Sequence, residues 1–412
     1  MAQYVIDIET DLIPCTVVKC IVAKNIGGTG DFLVWSTYEE IYNKFRSWAS
    51  DTTHQFIGHN IIDFDVATLN RLVGTDIKTE QCEDTMLLSY MLYPLAKKHS
   101  LKYWGENLSF PKMDAPDFDG PVTPETIEYC KNDVELTHLV WLSMQIDIKN
   151  FSRKSIELEY KVRELVTQQE ANGFTLNCEK AMLLQAMLQD KAAVLKEEVQ
   201  RSFQPLPTFV KDCVPKYKAD GCLSKVGLNH IEDLDITEAK LIAEYLMVEK
   251  RVTQIKSWLD SVDNTGRVHG KVFTLMAIST RMSHTDPNMA QVPAARKPYG
   301  AECRGCWTVS DPKRYSLLGC DASSLELRVL AHYMNDPVFT KEVSEGDVHT
   351  INQKSAGLDT RDQAKTFIYA FIYGAGAAKI GEIVGGSAKD GNRLIQGFLR
   401  NTPKLATLRS RV

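Results

Sequence analysis

The segment RDQAKTFIYAFIYGAG, residues 361–376, places Arg361, Lys365, Tyr369 and Tyr373 four residues apart. Four residues is slightly more than one helical turn, so the spacing predicts a helix with two cations and two phenols along one face. The positions between them are rich in phenylalanine and isoleucine, which predicts a second face packed against a core. Such a row of cations can bind a triphosphate, and an ordinary amphipathic surface helix is the simpler alternative.

Working outward from this helix, the apolar segment RYSLLGCD, residues 314–321, predicts a strand that ends in Asp321. The next segment, SSLELRVLAHYM, predicts a helix that begins with a serine N-cap. His349 lies between this helix and the row of cations. A carboxylate at the end of a buried strand is held rigidly enough to bind a metal ion, so Asp321 is a candidate ligand.

A second group of candidate ligands lies near the N-terminus. Asp7 and Glu9 are two residues apart in the predicted strand YVIDIE, so both point to the same face, where they repel unless a cation lies between them. Asp65 ends HNIIDFD, and Asp133 follows Tyr129 by about one helical turn in YCKND. Four such carboxylates can bind two Mg²⁺ ions about 4 Å apart, as phosphodiester cleavage requires, with Tyr129 orienting the water. Taken singly, an Asp-x-Glu pair on a strand is more often an ordinary polar surface pair, and a Tyr-x-x-x-Asp spacing on a helix is usually chance.

Composition and charge suggest an uneven division of the chain. A length of 412 residues is sufficient for two or three domains. Residues 1–150 alternate predicted strands and helices and hold 12 Lys and Arg against 22 Asp and Glu, whereas residues 151–412 hold 36 against 31. The acidic part suits cation binding and the basic part a polyanion, although solvated surfaces are the simpler alternative. The sequence has no apolar run of membrane-spanning length, so no membrane partner is expected.

The N-terminal motifs resemble a known nuclease family. DIE, HNIIDFD and YCKND are similar to the three motifs of the DEDD 3′–5′ exonucleases of the tyrosine subclass. The resemblance matches all four family carboxylates, Asp7, Glu9, Asp65 and Asp133. It implies supporting roles, not metal ligation, for Asn60 and Asp84.

The C-terminal motifs resemble family A DNA polymerases. DASSLELRVLAH is similar to their motif A, RDQAKTFIYAFIYG to their motif B, and TRMSHTDPNMAQVP to their segment that contacts primer–template DNA. The likeness is strongest to the replicative polymerases of short-tailed, T-odd phages, and it covers nearly the whole chain. The resemblance therefore implies DNA-directed DNA polymerase activity with 3′–5′ proofreading, by two-metal phosphoryl transfer.

This resemblance implies a role for each matching residue of the polymerase motifs. Asp321 binds the catalytic metals beside the carbonyl of Ala322, Glu326 closes the sugar pocket, and the triphosphate is held by His349, Arg361 and Lys365. Tyr369 occupies the position that discriminates against dideoxynucleotides, Tyr373 packs near the templating base, and Arg281 and Gln291 contact the minor groove. The implied cofactor is Mg²⁺, two ions per active site, with Mn²⁺ as a substitute.

The resemblance also implies an architecture. We expect an α/β, RNase H-like exonuclease domain with a mixed sheet and flanking helices at residues 1–150. Residues 151–275 are expected to form the palm start and a mostly helical thumb, and residues 276–412 an incomplete α+β palm and fingers. The expected partners are primer–template DNA, single-stranded DNA, dNTPs and other replisome proteins, in the cytoplasm of a bacterial host. Thioredoxin is not expected, because the thumb holds only a short basic stretch at residues 205–225.

One family motif is missing from the 412 residues. Family members carry a His-Asp-Glu turn, motif C, whose Asp is the second metal ligand, and no His-Asp pair occurs in this sequence. Two metal ions require both carboxylates, so the polymerase site is expected to be incomplete. A split polymerase completed by a C-terminal fragment, a truncated chain and a decayed polymerase are the alternatives. The competing functions are a stand-alone exonuclease with a vestigial polymerase platform and a non-catalytic DNA-binding assembly subunit.

Overall fold

The computed structural model describes residues 2–11, 14–28, 30–202, 237–346, 350, 353–354 and 356–411. These residues form two compact units, residues 1–317 and 318–412. The first unit contains two apolar cores and the second contains one. The predicted domain limits at residues 150 and 275 remain predictions. His349 and the basic stretch 205–225 lie outside the described residues.

A mixed five-stranded sheet is the centre of the first core. Its strands are β1 (Ala2–Thr10), β2 (Val18–Asn25), β3 (Phe32–Trp35), β4 (His54–Gly58) and β5 (Cys82–Asp84). The spatial order is β3-β2-β1-β4-β5, in which β2 pairs antiparallel with both β1 and β3, and β4 pairs parallel with both β1 and β5. Residues Tyr4, Val5, Ile6 and Ile8 of β1 are buried, as expected for a central strand covered on both faces.

Short helices cover this sheet. A π-helical turn at Glu40–Phe45 continues into α1 (Arg46–Ala49), and α2 (Asp65–Thr68) continues into a second π-helical turn at Leu69–Val73. A 3₁₀ turn at Thr79–Gln81 precedes β5, and α3 (Thr85–Leu92) and α4 (Leu101–Asn107) follow it.

Helix α5 (Pro124–Asn150) crosses β1 and β2. A threonine followed by proline is typical of a helix start, and α5 begins at this pair: the hydroxyl of Thr123 accepts the N–H of Thr126 at 3.2 Å, and Pro124 occupies the first helical position. Its buried face includes Cys130 and Val134, which pack in the first core, and carries Asp133 over the sheet.

The second core lies between long helices. It is built by β6 (Phe174–Leu176), α7 (Cys178–Ser202), α8 (Thr237–Asp260), β7 (Arg267–Val268), α9 (Gly300–Arg304) and β10 (Trp307–Thr308). The preceding helix, α6 (Arg153–Asn172), packs Ile156 and Tyr160 in the first core instead. An Asn-Gly pair is typical of a helix end, and α6 ends at Asn172, followed by Gly173 at φ 61°. A hairpin of β8 (Lys271–Phe273) and β9 (Ser283–Thr285) and a 3₁₀ turn at Met289–Gln291 lie between β7 and α9.

Arg163 of α6 contacts both this hairpin and the loop between β4 and α2. Its buried guanidinium donates to the carbonyl of Val272 at 2.5 Å and pairs with Asp63 at 3.1 Å and Glu170 at 3.2 Å. A buried cation with several partners fixes the geometry around it. Asp63 lies two residues before Asp65, so this network helps to hold the loop that positions Asp65.

The second unit is helical in its described residues. It contains α10 (Leu325–Met334), α11 (Pro337–Glu345), α12 (Arg361–Ile372), α13 (Ala377–Ile383), α14 (Ala388–Asn401) and α15 (Pro403–Arg411). Its core includes Leu327 of α10 together with an edge-to-face pair of Phe367 and Phe398, whose ring centroids are 5.1 Å apart. The helix predicted from RDQAKTFIYAFIYG is therefore present as α12, with its apolar side buried.

The predicted strand at residues 314–321 is absent, and that prediction was wrong. The segment has no regular secondary structure, and Leu317 and Leu318 are 58% and 93% exposed. A strand requires hydrogen bonds from a neighbouring strand, and no described residue pairs with this segment. Ser324 does precede α10 as predicted, but with a left-handed backbone and no side-chain hydrogen bond to the helix.

Candidate active sites

Three polar side chains meet at the middle of the sheet. Asp7 and Glu9 lie on the same face of β1, and the thiol of Cys130 on α5 donates to Asp7 Oδ2 at 3.4 Å. One ligand atom from each of these three residues lies within 4.8 Å of the others. The two-residue spacing on a strand therefore produces the shared face that the sequence predicts.

Asp65 and Asp133 extend this cluster, and both are nearly fully buried. Asp65 is the first residue of α2, and the charge of Asp7 raises its pKa, while the charge of Asp133 raises the pKa of Asp7. Asp133 Oδ2 forms an ion pair with Lys112, whereas Asp133 Oδ1 is buried without a hydrogen-bond partner in the described structure. The structure thus brings the four predicted carboxylates into one cluster, with Tyr129 one turn from Asp133 on α5.

The electrostatics of the cluster indicate a site for cations. Burial raises the pKa of Asp7, Glu9 and Asp65, and repulsion between the neighbouring carboxylates raises these pKa values further. Burial also raises the pKa of Asp133, while the Lys112 ammonium acts in the opposite direction. A divalent ion relieves both the burial and the repulsion.

The donor atoms fit Mg²⁺. Carboxylate oxygens are the ligands that Mg²⁺ prefers, and the unpartnered Oδ1 of Asp133 leaves one oxygen available.

Sequence reasoning missed two members of the cluster, Lys112 and Cys130. Lys112 lies in the irregular segment between α4 and α5, which has no periodic pattern, and the only signal for Cys130 is its place beside Tyr129.

Asp84 lies close enough to the cluster for its charge to raise the pKa of Asp65. Its carboxylate accepts the backbone N–H groups of Asn60, Ile62, Met86 and Leu87 at 3.0–3.2 Å. Burial raises the pKa of Asp84 to about 6, and these four donors act in the opposite direction. Asp84 therefore caps α3 and also fixes the loop of Asn60, whose φ is 67°.

Asp84→Ala is expected to lower the free energy of unfolding of the first unit by about 3 kcal/mol, because buried N–H groups lose their acceptor. Ser152→Ala is the control, because it removes an exposed cap that accepts one N–H, and should cost about 1 kcal/mol or less. Urea unfolding followed by circular dichroism compares them. Equal losses in the two variants would show that Asp84 is an ordinary helix cap.

His59 is a half-buried residue near Lys112 and the carboxylate cluster. Its Nδ1 lies 2.9 Å from the Thr85 hydroxyl, and its Nε2 is buried without a hydrogen-bond partner in the described structure. Burial, reinforced by the Lys112 ammonium, lowers the pKa of His59 to about 3. Native His59 is therefore neutral throughout the physiological range.

The low pKa of His59 predicts a loss of stability in acid. Stability from neutral His59 is fully present above its unfolded pKa of 6.5 and is lost as the pH falls towards about 3. Between pH 6.5 and pH 5 in EDTA, the free energy of unfolding of the wild-type protein should fall by about 1 to 2 kcal/mol more than that of His59→Gln. Urea midpoints across this range measure the difference. Parallel pH profiles for the two proteins would contradict it.

Helix α12 carries the second candidate site. Thr360 caps it by accepting the N–H of Gln363. Arg361 and Lys365 are exposed, whereas Phe367 and Ile368 are buried. Tyr369 is half-buried, and Tyr373, just after the last residue of α12, donates its hydroxyl to Glu326 Oε1 at 2.8 Å. The structure therefore joins motif A to motif B through the predicted residues Glu326 and Tyr373.

The other predicted polymerase residues are more dispersed. Asp321 and Ala322 are exposed in the segment before α10, without the buried strand that the sequence predicts beneath them. Arg281 lies exposed between β8 and β9, and Gln291 ends a 3₁₀ turn, where its carbonyl accepts Gln254 Nε2 at 2.8 Å. Arg281 and Gln291 belong to the first unit, and α12 belongs to the second.

Two phage enzymes and one bacterial enzyme are among the curated relatives. The chain is 45% identical over 185 residues to the DNA-directed DNA polymerases of Enterobacteria phage T3 and Escherichia phage T7, covering 42% of this chain and 26% of each relative. It is 23% identical over 361 residues to DNA polymerase I of Pseudomonas aeruginosa, covering 78% of this chain and 39% of the relative. The alignments thus span about a quarter of the phage relatives' length.

A solved structure shows the same fold. The chain matches the structure described as "POL domain of Pol1 from M. smegmatis complex with DNA primer-template and dNTP" with a TM-score of 0.76 and 16% identity, over 100% of this chain and 74% of the other. Within the described ranges, no helix has the length and hydropathy needed to cross a bilayer.

The family model for DNA polymerase family A matches residues 151–412. The resemblance to family A DNA polymerases is therefore confirmed, and the chain belongs to DNA polymerase family A.

Proposed function

We propose that this chain is a phage-type, DNA-directed DNA polymerase with a 3′–5′ exonuclease site in residues 1–150. The convergence of Asp7, Glu9, Asp65 and Asp133 over the sheet is the observation that carries the exonuclease part. The strand order β3-β2-β1-β4-β5, with three antiparallel and then parallel strands, supports an RNase H-like domain. The phage relatives support the polymerase part.

The exonuclease residues have distinct roles in this proposal. Asp7, Glu9, Asp65 and Asp133 would hold two Mg²⁺ ions, which supply an activated water and stabilise the leaving oxygen. Tyr129 orients the attacking water from α5, where its ring packs edge-on against Phe118 at 5.7 Å. Cys130 holds Asp7 in place through its hydrogen bond. The substrate is the 3′ end of a single DNA strand.

The polymerase residues bind the incoming nucleotide. Arg361 and Lys365 project from α12 and hold the triphosphate, together with His349. Glu326, fixed by Tyr373, closes the sugar pocket, and Tyr369 packs beside the nucleotide. Asp321 and the carbonyl of Ala322 would hold metal ions, and Arg281 and Gln291 contact primer–template DNA. The dNTP and primer–template ligands agree with those named for the mycobacterial structure.

A second carboxylate is needed for the two polymerase metals. No His-Asp pair occurs in the 412 residues, so we propose that polymerisation requires a motif C from residues outside this sequence. A C-terminal polymerase fragment is the proposed partner, with other replisome proteins in the cytoplasm of a bacterial host. The stand-alone exonuclease and the non-catalytic subunit are the competing functions.

Strand shortening tests the exonuclease proposal directly. A 5′-labelled single strand incubated with Mg²⁺ should give a ladder of products shortened from the 3′ end, and none in EDTA. A 3′-phosphorothioate linkage should slow the ladder. Absence of any Mg²⁺-dependent shortening would favour the non-catalytic subunit.

Primer extension tests the polymerase proposal. The 412 residues alone should shorten primers without extending them, and extension should appear when a fragment carrying motif C is added. Extension by the 412 residues alone would show that motif C is not required. Failure to bind dNTP with primer–template would favour the stand-alone exonuclease.

A further inference from the structure

Lys112 occupies the carboxylate cluster, although no sequence motif assigns it a role. Its Nζ pairs with Asp133 Oδ2 and lies 5.0 Å from the ring centroid of Tyr129. The Lys112 side chain is 26% exposed and that of Asp133 only 4%, so the lysine reaches inward from the rim of the site.

The backbone around Lys112 is tied down, whereas its side chain can move. The N–H of Met113 donates to Asn132 Oδ1 at 3.1 Å, and the N–H of Phe110 donates to the carbonyl of Gly105 at 3.0 Å. A lysine stem has four rotatable carbons, and its head is already near solvent. The ammonium can therefore leave Asp133 without any change of the backbone.

The ammonium is a counter-charge for several carboxylates at once. Its charge acts favourably on Asp7 and Glu9 as well as on Asp133, which are the residues that repel one another in the cluster. A divalent ion bound by the same carboxylates provides this compensation with two charges. Because one oxygen of Asp133 is already paired with Lys112, an ion that takes both oxygens must displace the ammonium.

We propose that Lys112 is a resident counter-ion that competes with the divalent metal for Asp133. This inference rests on the proposed exonuclease site. It assigns Lys112 a positioning role: the lysine keeps the cluster assembled without metal and sets how tightly metal binds. Removal of its charge should strengthen metal binding and weaken the metal-free fold.

Binding of Mn²⁺, followed by electron paramagnetic resonance, tests the competition. Lys112→Gln should bind Mn²⁺ about five- to tenfold more tightly than wild type, because a nearby unit charge no longer opposes the ion. Lys112→Arg should bind as wild type. Lys131→Gln is the matched control, because Lys131 lies on α5 with 29% exposure but pairs with Glu128, and it should leave the affinity unchanged. Equal or weaker binding by Lys112→Gln would overturn the proposal.

Two further measurements complete the test. In EDTA, Lys112→Gln should unfold at a lower temperature than Lys131→Gln. Addition of Mn²⁺ should raise the unfolding temperature of Lys112→Gln to that of Lys131→Gln. In the wild-type protein, acetylation of Lys112 should become at least about threefold faster when Mn²⁺ is added, whereas acetylation of Lys131 should not change. This labelling needs no variant, so an unaltered Lys112 rate would overturn the proposal even if Lys112→Gln failed to fold.

The outcomes separate this inference from the exonuclease proposal. If wild type binds Mn²⁺ and loses that binding in Asp7→Asn, the metal site stands, and the Lys112 results decide the competition alone. If wild type binds no Mn²⁺ and shortens no DNA, the exonuclease proposal and the counter-ion role fail together.

Discussion

Asp7→Asn is expected to lower the rate of 3′-end shortening of single-stranded DNA by about a thousandfold or more, because catalytic groups that act as a unit lose most of their effect when one is removed. The substitution keeps the shape of the side chain but removes a charge that acts on both Glu9 and Asp65 and is itself repelled by Asp133. Initial rates on a 5′-labelled strand with saturating Mg²⁺ measure the effect.

Asp11→Asn is the control for this prediction. Asp11 follows the end of β1, is half-buried, and its carboxylate accepts hydrogen bonds from the N–H and the hydroxyl of Thr16. It should retain nearly full activity. A rate for Asp7→Asn within tenfold of wild type, with an unchanged circular dichroism spectrum, would refute the assignment of the metal site.

Lys365→Ala is expected to weaken dNTP binding by about 100-fold, because removal of one partner of a charged contact costs about 2 to 5 kcal/mol. Lys365 lies one turn after Arg361 on the exposed side of α12, where a triphosphate can contact both. Fluorescence anisotropy with a labelled dNTP and primer–template DNA measures the affinity.

The control for Lys365 is Lys389→Ala. Lys389 is also an exposed helical lysine of the second unit, but it lies on α14, outside the motif B helix. Lys389→Ala should change the affinity for dNTP less than twofold, because salt screens the effect of a single charge outside the binding site. Similar losses in both variants would indicate that only net charge attracts the nucleotide.

The elements that were predicted well depend on local spacing. Thr123 and Pro124 mark the start of α5, Gly173 marks the end of α6, and the four-residue spacing of Arg361 and Lys365 places both on one face of α12. Each signal is a property of a few consecutive residues, because capping, left-handed turns and helical periodicity all operate within about one turn.

The predicted strand at residues 314–321 failed for the opposite reason. Its apolar sequence favours an extended backbone, but a strand is stabilised by hydrogen bonds to another strand, and the described residues provide no such neighbour. The N-cap at Ser324 failed similarly, since its backbone is left-handed and its hydroxyl is not aimed at α10.

The sequence alone determined the carboxylates of the candidate exonuclease site and the row of cations on α12, because residue type and spacing define which side chains share a face. Only the tertiary structure decided that Lys112 and Cys130 join the carboxylates. Residues far apart in the chain become neighbours when α5 packs across β1 and the preceding loop is tied to Asn132. Those contacts depend on how separate elements pack, and no local pattern encodes them.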